Sequence, residues 1–175
     1  MKLSSMFGYI LAAAVVATAS AQTVIDRLNY SAAACIPRYA GAFQGSGSDG
    51  FQWEQDGSFR NHDGDDNEQL ICAIPFDPAL RRANGTIPAI EISVDVIDSH
   101  GEDEVRVDLF AQNGNVAATL RDSANTGNPE VGRRTMVVTM VPTASTRYIW
   151  IRIDVPDADN TGFSGVVGYR VRRLM

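Results

Sequence analysis

The stretch IPAIEISVDVIDSHGEDEVRVDLFA, residues 87–111, decides the fold of this chain. Apolar and polar residues alternate in two runs, which the polar segment Ser99-His100-Gly101 separates. The apolar positions are Ile90, Ile92, Val94 and Val96 in the first run, and Val105, Val107, Leu109 and Ala111 in the second. Strict alternation of this kind is typical of strands with one buried face. It predicts two neighbouring antiparallel strands whose shared apolar side needs a second layer to cover it.

Shorter segments of the same character follow one another along the rest of the chain. Separated by Gly, Pro and Asn turns, they are residues 51–55, 58–61, 69–75, 116–120, 135–141, 147–155 and 166–174, and two weakly patterned segments, 23–30 and 32–37, precede them. The polar segment 121–134 holds two Gly and one Pro and is predicted to be a mobile loop. About nine short strands without a convincing helix predict an all-β fold. We expect an antiparallel two-sheet sandwich of the jelly-roll or immunoglobulin-like type.

The first 21 residues predict a signal peptide. The apolar run 7–17 is too short to span a bilayer, and Ala19-Ser20-Ala21 has the small-x-small pattern that a signal peptidase cuts. We expect cleavage after Ala21, one domain over residues 22–175, and no membrane span in the mature chain; the alternative is a retained N-terminal anchor helix. The predicted location is secreted or periplasmic, and Asn84-Gly85-Thr86 is a sequon for a host that glycosylates exported proteins.

Export also bears on the two cysteines, Cys35 and Cys72. An even number of cysteines in an exported chain favours a disulfide, and two cysteines allow one pairing. The loop that this bond closes spans 72 − 35 = 37 positions. Closing a loop of that length stabilises a fold by roughly 3–4 kcal/mol in the chain-entropy model. The alternative is a pair of buried free thiols.

The charge balance argues against a nucleic-acid partner. The formal net charge is −6, and removal of Lys2 with the signal peptide makes the mature chain more acidic. A net-acidic domain repels phosphate backbones, and no basic stripe stands out in the sequence. Arg170, Arg172 and Arg173 come nearest, and their spacing places them on a predicted strand.

Several short motifs are spread over most of the mature chain. They are ACIP at 34–37, Trp53…Gly57…Asn61, ICAIP at 71–75, VDV at 94–96, residues 148–156, and Ser164…Gly168-Tyr169-Arg170-Val171. In these motifs the chain resembles a group of exported bacterial single-domain β-sandwich proteins of unassigned activity. Relatives of this type carry a second cysteine pair where this chain has Val107 and Ile153. The resemblance therefore implies an apolar contact between neighbouring strands, with the Cβ atoms within about 7 Å, and it implies no function.

Three aromatic residues are candidates for a binding surface. Tyr148 and Trp150 lie on the polar side of the strand predicted for residues 147–155, and Trp53 lies in the hairpin predicted for 51–61. Aromatic rings exposed in a flat strip are suited to stacking against sugar rings. The alternatives are core packing for Trp53 and a covering loop for Trp150.

The acidic segment 62–68 is the candidate metal site. Asp63, Asp65 and Asn67 occupy positions 1, 3 and 5 of a calcium-loop pattern. The pattern then fails, because Glu68 replaces its glycine and Ile74 replaces its final glutamate. We expect no cofactor and a solvated turn; the alternative is calcium held in another geometry.

Three functions are compatible with these features. The first, and our expectation, is a non-catalytic exported sandwich that binds an extracellular protein or glycan or packs into a surface layer, using the loops 41–50, 61–68, 121–134 and 157–164. The second is a carbohydrate-binding module with structural calcium. The third is a small secreted hydrolase in which His62 or His100 meets a carboxylate, although no serine has the G-x-S-x-G context and no catalytic residue is assigned.

Overall fold

The computed structural model describes residues 24–38, 51–55, 58–62, 67–75, 87–99, 103–127, 132–157 and 162–174, and for residues 24–27, 51 and 53 the backbone only. Within these ranges the chain forms eleven antiparallel strands in two sheets, so the predicted all-β sandwich is confirmed. The strands are β1 (Val24–Ser31), β2 (Cys35–Pro37), β3 (Phe51–Trp53), β4 (Phe59–Asn61), β5 (Glu68–Ile74), β6 (Ala89–Asp98), β7 (Arg106–Asn113), β8 (Thr119–Asn125), β9 (Gly132–Met140), β10 (Thr146–Val155) and β11 (Gly165–Leu174). The count exceeds the expected nine, and three of the strands have only three residues.

The two sheets draw their strands from all parts of the chain. The six-stranded sheet has the order β3-β4-β11-β6-β9, with β1 paired to β11 beside β4. The five-stranded sheet has the order β2-β5-β10-β7-β8. No helix in the described ranges is long and apolar enough to cross a membrane.

The alternating runs at 87–111 supply the centre of the core from both sides. Their eight inward residues are each at most 1% exposed. Ile151 and Ile153 of β10 and Val166 of β11 join them as fully buried residues. The apolar faces of both sheets are thereby removed from water, which is the main contribution to the stability of a sandwich.

The predicted pairing of the two runs with each other is wrong. β6 lies between β11 and β9 in the six-stranded sheet, whereas β7 lies between β10 and β8 in the five-stranded sheet. The alternation specifies only which face of a strand is buried. Two strands that are neighbours in one sheet show this pattern, and so do two strands that face each other across the core, so the pattern does not distinguish the two arrangements. The segment between the runs therefore carries the chain from one sheet to the other.

The prediction of a loop at 121–134 is also wrong in part. β8 runs over Thr119–Asn125 and β9 begins at Gly132, while Val116, placed in a strand by the sequence, is 65% exposed outside β8. β8 is an edge strand with both faces largely polar, so it lacks the alternation that marks a half-buried strand. The Asp122 carboxylate accepts a hydrogen bond from the backbone N–H of Thr139 at 2.7 Å and so links β8 to β9.

Two specific contact predictions are confirmed. Cys35 and Cys72 are joined by a disulfide and lie directly opposite each other in β2 and β5. Val107 and Ile153 are direct partners in the β7–β10 pairing, and both are fully buried. Cβ atoms of such partners lie about 4.5–5.5 Å apart.

Candidate functional site

On the outer face of the six-stranded sheet, charged side chains of β11 and β6 neutralise one another. Arg172 pairs with Glu91, and Arg170 Nη2 lies 3.0 Å from Asp95 Oδ1. Each pair joins β11 to β6. Exposed pairs of this kind contribute little to stability and leave these four side chains with little unsatisfied charge.

The outer face of the five-stranded sheet is different, because aromatic rings lie on it. Trp150 of β10 and Phe110 of β7 are direct cross-strand partners. Their rings are nearly parallel, with centroids 5.7 Å apart and an interplanar angle of 14°. Tyr148 precedes Trp150 by two residues on the same side of β10 and is 62% exposed. We call these three residues the aromatic band.

Apolar residues extend the aromatic band toward the edge of the sheet. Ala73 of β5 lies opposite Trp150, and Ile71 of β5 lies opposite Ile36 of β2. Ile36 is 65% exposed. A continuous exposed apolar surface on a soluble domain marks an interaction site more often than scattered apolar residues do.

A charge network borders the aromatic band along β7 and β10. Asp108 is buried, and its two carboxylate oxygens each bind one arginine, with Arg106 Nε at 2.8 Å and Arg152 Nη2 at 2.6 Å. Burial by itself raises the pKa of the Asp108 carboxyl, but hydrogen bonds from Arg106, Ser123 and Arg152 outweigh it, so the pKa lies below its ordinary value. The Arg152 guanidinium also lies 5.5 Å from the centre of the Phe110 ring. The network fixes Arg152 beside the rings as a directed hydrogen-bond donor.

Asp154 completes this border at the far end of β10. Its Oδ2 lies 3.2 Å from Arg152 Nε. Burial raises the pKa of Asp154, although the charge of Arg152 opposes the shift. The face thus combines flat apolar rings with hydrogen-bond acceptors and donors at its border.

A polar hollow of about 590 Å³ lies beyond the charge network. It is lined by Asp103, Glu104, Arg106, Ser123 and Asn125. Asn125 donates a hydrogen bond from Nδ2 to Glu104 Oε2 and so links the two sides of the hollow.

The histidine predicted for a hydrolase does contact a carboxylate. His62 Nε2 lies 2.6 Å from Glu54 Oε1, and the imidazole stacks on Phe163 with centroids 3.9 Å apart. Among the described residues, no hydroxyl or thiol is hydrogen-bonded to His62. The pair therefore lacks the nucleophile that a hydrolytic triad requires. His100 lies outside the described residues.

The remaining sequence candidates fall partly outside the description. The backbone of Trp53 pairs with Phe59, and its side chain is among those not described. Asp63 and Asp65 lie outside the described residues, as do the loop 41–50 and Asn84. Asn67 accepts a hydrogen bond at Oδ1 from the backbone N–H of Asp157 at 3.0 Å. Where the chain is described, no group of three or more His, Cys, Asp or Glu side chains could hold a metal ion.

Phe110 and the Asp108 network are the parts of the site that sequence reasoning missed. Phe110 occupies an outward position in the alternation of residues 104–111, in phase with Arg106 and Asp108. An apolar ring on the polar side of a strand was the available signal. Its proximity to Trp150 depends on the β7–β10 pairing, which no local pattern specifies.

The fold and this face together define a β-sandwich with an aromatic surface on one sheet. No protein-family model and no curated protein matches the chain. Among solved structures, it is similar to the CBM36-1 domain of a multidomain xylanase from the hindgut metagenome of Trinervitermes trinervoides, with 11% identity, a TM-score of 0.48, and coverage of 84% of this chain and 96% of that one.

Two further solved structures show similarity at the same level. The xylan-binding module CBM86 from Roseburia intestinalis has 12% identity, a TM-score of 0.43, and coverage of 86% of this chain and 96% of that one. A family two carbohydrate esterase from Cellvibrio japonicus has 10% identity and a TM-score of 0.41. The match to the esterase covers 89% of this chain but only 36% of the esterase.

Proposed function

We propose that this chain is a non-catalytic carbohydrate-binding protein that holds a glycan on the outer face of its five-stranded sheet. The observation that carries the proposal is the aromatic band, in which the parallel rings of Trp150 and Phe110 lie beside the exposed Tyr148. One face of a pyranose ring presents C–H groups and packs against an aromatic ring, while its hydroxyls require hydrogen-bond partners.

The border of the band supplies those hydrogen-bond partners. Arg152 is held beside the Phe110 ring by Asp108, and Asp154 lies within the same row. Because these side chains hold one another in place, little side-chain entropy remains to be lost when a sugar binds. On the opposite sheet, Arg170 and Arg172 are already paired with Asp95 and Glu91.

We propose that the protein works outside the reducing cytosol and uses no cofactor. The Cys35–Cys72 disulfide supports the first point, because such bonds persist in oxidising compartments. The hydrogen bond from Asp157 to the Asn67 amide oxygen supports the second. Of the three predicted calcium ligands, Asp63, Asp65 and Asn67, only Asn67 is among the described residues, and its side-chain oxygen already accepts this hydrogen bond.

Binding to soluble neutral polysaccharides tests the proposal. Mature protein is titrated with xylan and with mixed-linkage β-glucan, together with the variants Trp150→Ala and Tyr148→Ala. We expect each variant to weaken binding at least about tenfold, the loss typical of removing a central aromatic contact. Phe163→Ala is the matched control, because Phe163 is a partly exposed ring that lies just before β11, against His62 and away from the aromatic band, and its removal should leave affinity unchanged.

The variants also separate binding from folding. Tyr148 is 62% exposed, so its truncation should leave the melting temperature nearly unchanged. Equal affinity of the wild type and of both band variants would refute the proposed face. If the wild type binds neither xylan nor mixed-linkage β-glucan, the proposal that the protein binds these glycans is refuted.

A further inference from the structure

The polar hollow and the aromatic band lie along one strand. Phe110, Asp108 and Arg106 occupy successive outward positions of β7, and Glu104 continues the row into the hollow. At about 3.3 Å per residue, Phe110 and Arg106 are separated by roughly 13 Å. Ser123 and Asn125 reach the same hollow from β8, where their backbones pair with Asp108 and Arg106.

The lining of the hollow differs from the band in chemistry. It presents carboxylate, amide and hydroxyl oxygens and one guanidinium, and none of its residues is aromatic. Such groups can satisfy the hydroxyls of a sugar ring but cannot stack on it. A sugar in the hollow would therefore be held by hydrogen bonds, and a sugar on the band by ring packing.

The charges of the hollow limit which sugars it accepts. Asp103 and Glu104 contribute two negative charges, while the guanidinium of Arg106 is already bound to Asp108. A uronate or sulfate group entering the hollow would meet like charge without a free cation to offset it. A neutral sugar meets no such repulsion.

We infer that the ligand is an elongated neutral glycan that runs along β7, stacking on the aromatic band and placing a further sugar in the polar hollow. This inference rests on the proposed function, since it assigns a direction, a minimum length and a charge class to the glycan. The hollow is then the part that discriminates among glycans, and the band is the part that supplies most of the affinity.

Oligosaccharides of graded length and charge test the inference. Xylo-oligosaccharides and cello-oligosaccharides of two to six sugars are titrated into mature protein by calorimetry, alongside oligogalacturonates of the same lengths. For the neutral series we expect affinity to rise at least tenfold from the shortest member to the longest. For the longest members we expect at least tenfold weaker binding of the galacturonates.

Variants of residues that line the hollow test whether the gain in affinity with oligosaccharide length depends on the hollow. Asn125→Ala should remove most of the gain in affinity with oligosaccharide length, so that the longest members lose more affinity than the disaccharides. Asn29→Ala, an exposed asparagine of β1 in the other sheet, is the matched control and should change neither. Glu104→Gln keeps the shape of the hollow and should improve galacturonate binding relative to the wild type.

The outcomes separate this inference from the function on which it rests. If Trp150→Ala weakens binding but affinity is independent of length, or Asn125→Ala leaves the length dependence intact, the hollow is not part of the site. Galacturonates that bind as tightly as neutral chains would overturn the charge class. If Trp150→Ala leaves the binding of every oligosaccharide unchanged, the proposed function fails as well.

Discussion

Tyr169 ties the two sheets together, and its replacement by phenylalanine gives the sharpest test of the fold. The side chain is 2% exposed, and its hydroxyl crosses from β11 to donate a hydrogen bond to the backbone oxygen of Ala73 in β5 at 3.0 Å. Its ring stacks on Tyr30 with centroids 4.8 Å apart. At neutral pH, Tyr169→Phe should lower the free energy of unfolding by about 1 kcal/mol, the net value of one hydrogen bond.

The larger effect appears in alkaline solution. Burial raises the pKa of Tyr169 from 10.0 to about 12, because the phenolate is poorly solvated there. A pKa that is higher in the folded state gives stability that is complete below pH 10 and is lost as the pH rises toward 12. Two pKa units correspond to about 2–3 kcal/mol, so the wild type should lose that much between these pH values. Tyr169→Phe should lack this component of the loss.

Urea denaturation at pH 8, 10 and 12 measures both effects. Tyr148→Phe is the matched control, because the same hydroxyl is removed from an exposed side chain and the alkaline loss should remain. Parallel loss of stability by the wild type and Tyr169→Phe above pH 10 would refute the reasoning. It would mean that the Tyr169 hydroxyl is hydrated in the folded protein.

Three further predictions concern stability. Replacing both Cys35 and Cys72 by alanine should lower the free energy of unfolding by roughly 3–4 kcal/mol and make stability insensitive to reductant. A wild type whose stability does not change on reduction would contradict the disulfide. Asp108→Asn should cost about 3 kcal/mol at pH 7, because two guanidinium groups lose their carboxylate. The difference in stability between the wild type and Asp108→Asn should shrink below about pH 4, because the pKa of Asp108 is lowered in the folded state and its stabilising contribution is lost as the pH falls through that pKa. Denaturation curves that show the same difference at pH 7 and below pH 4 would contradict this prediction. Chelator should leave the melting temperature and the polysaccharide affinity unchanged, whereas a decrease restored by calcium would show a structural ion.

The fold class could be predicted from the sequence, because the burial of one strand face leaves a local signal. Ile92 and Val107 alternate with polar residues, and both are fully buried. Strand neighbours leave no such signal, so the sequence predicts β6 and β7 side by side although they belong to different sheets. β8 was missed because an edge strand exposed on both faces has no apolar period.

The candidate site was only partly predictable for the same reason. Tyr148 and Trp150 could be selected because they interrupt the polar side of their own strand. Phe110 had the same property, but its contact with Trp150 comes from the pairing of strands about 40 residues apart in sequence. Asp108 looks like a solvated residue in the sequence, and it is buried because Arg106 and Arg152 compensate its charge.

Chemical-shift mapping with isotope-labelled protein is the most direct test of where a glycan binds. Xylohexaose is added to saturation, and the backbone amides that move are located on the two sheets. The account predicts that the largest shifts belong to β7 and β10 around Phe110 and Trp150, with smaller shifts near Asn125. Shifts concentrated on β6 and β11, or around His62 and Phe163, would contradict it.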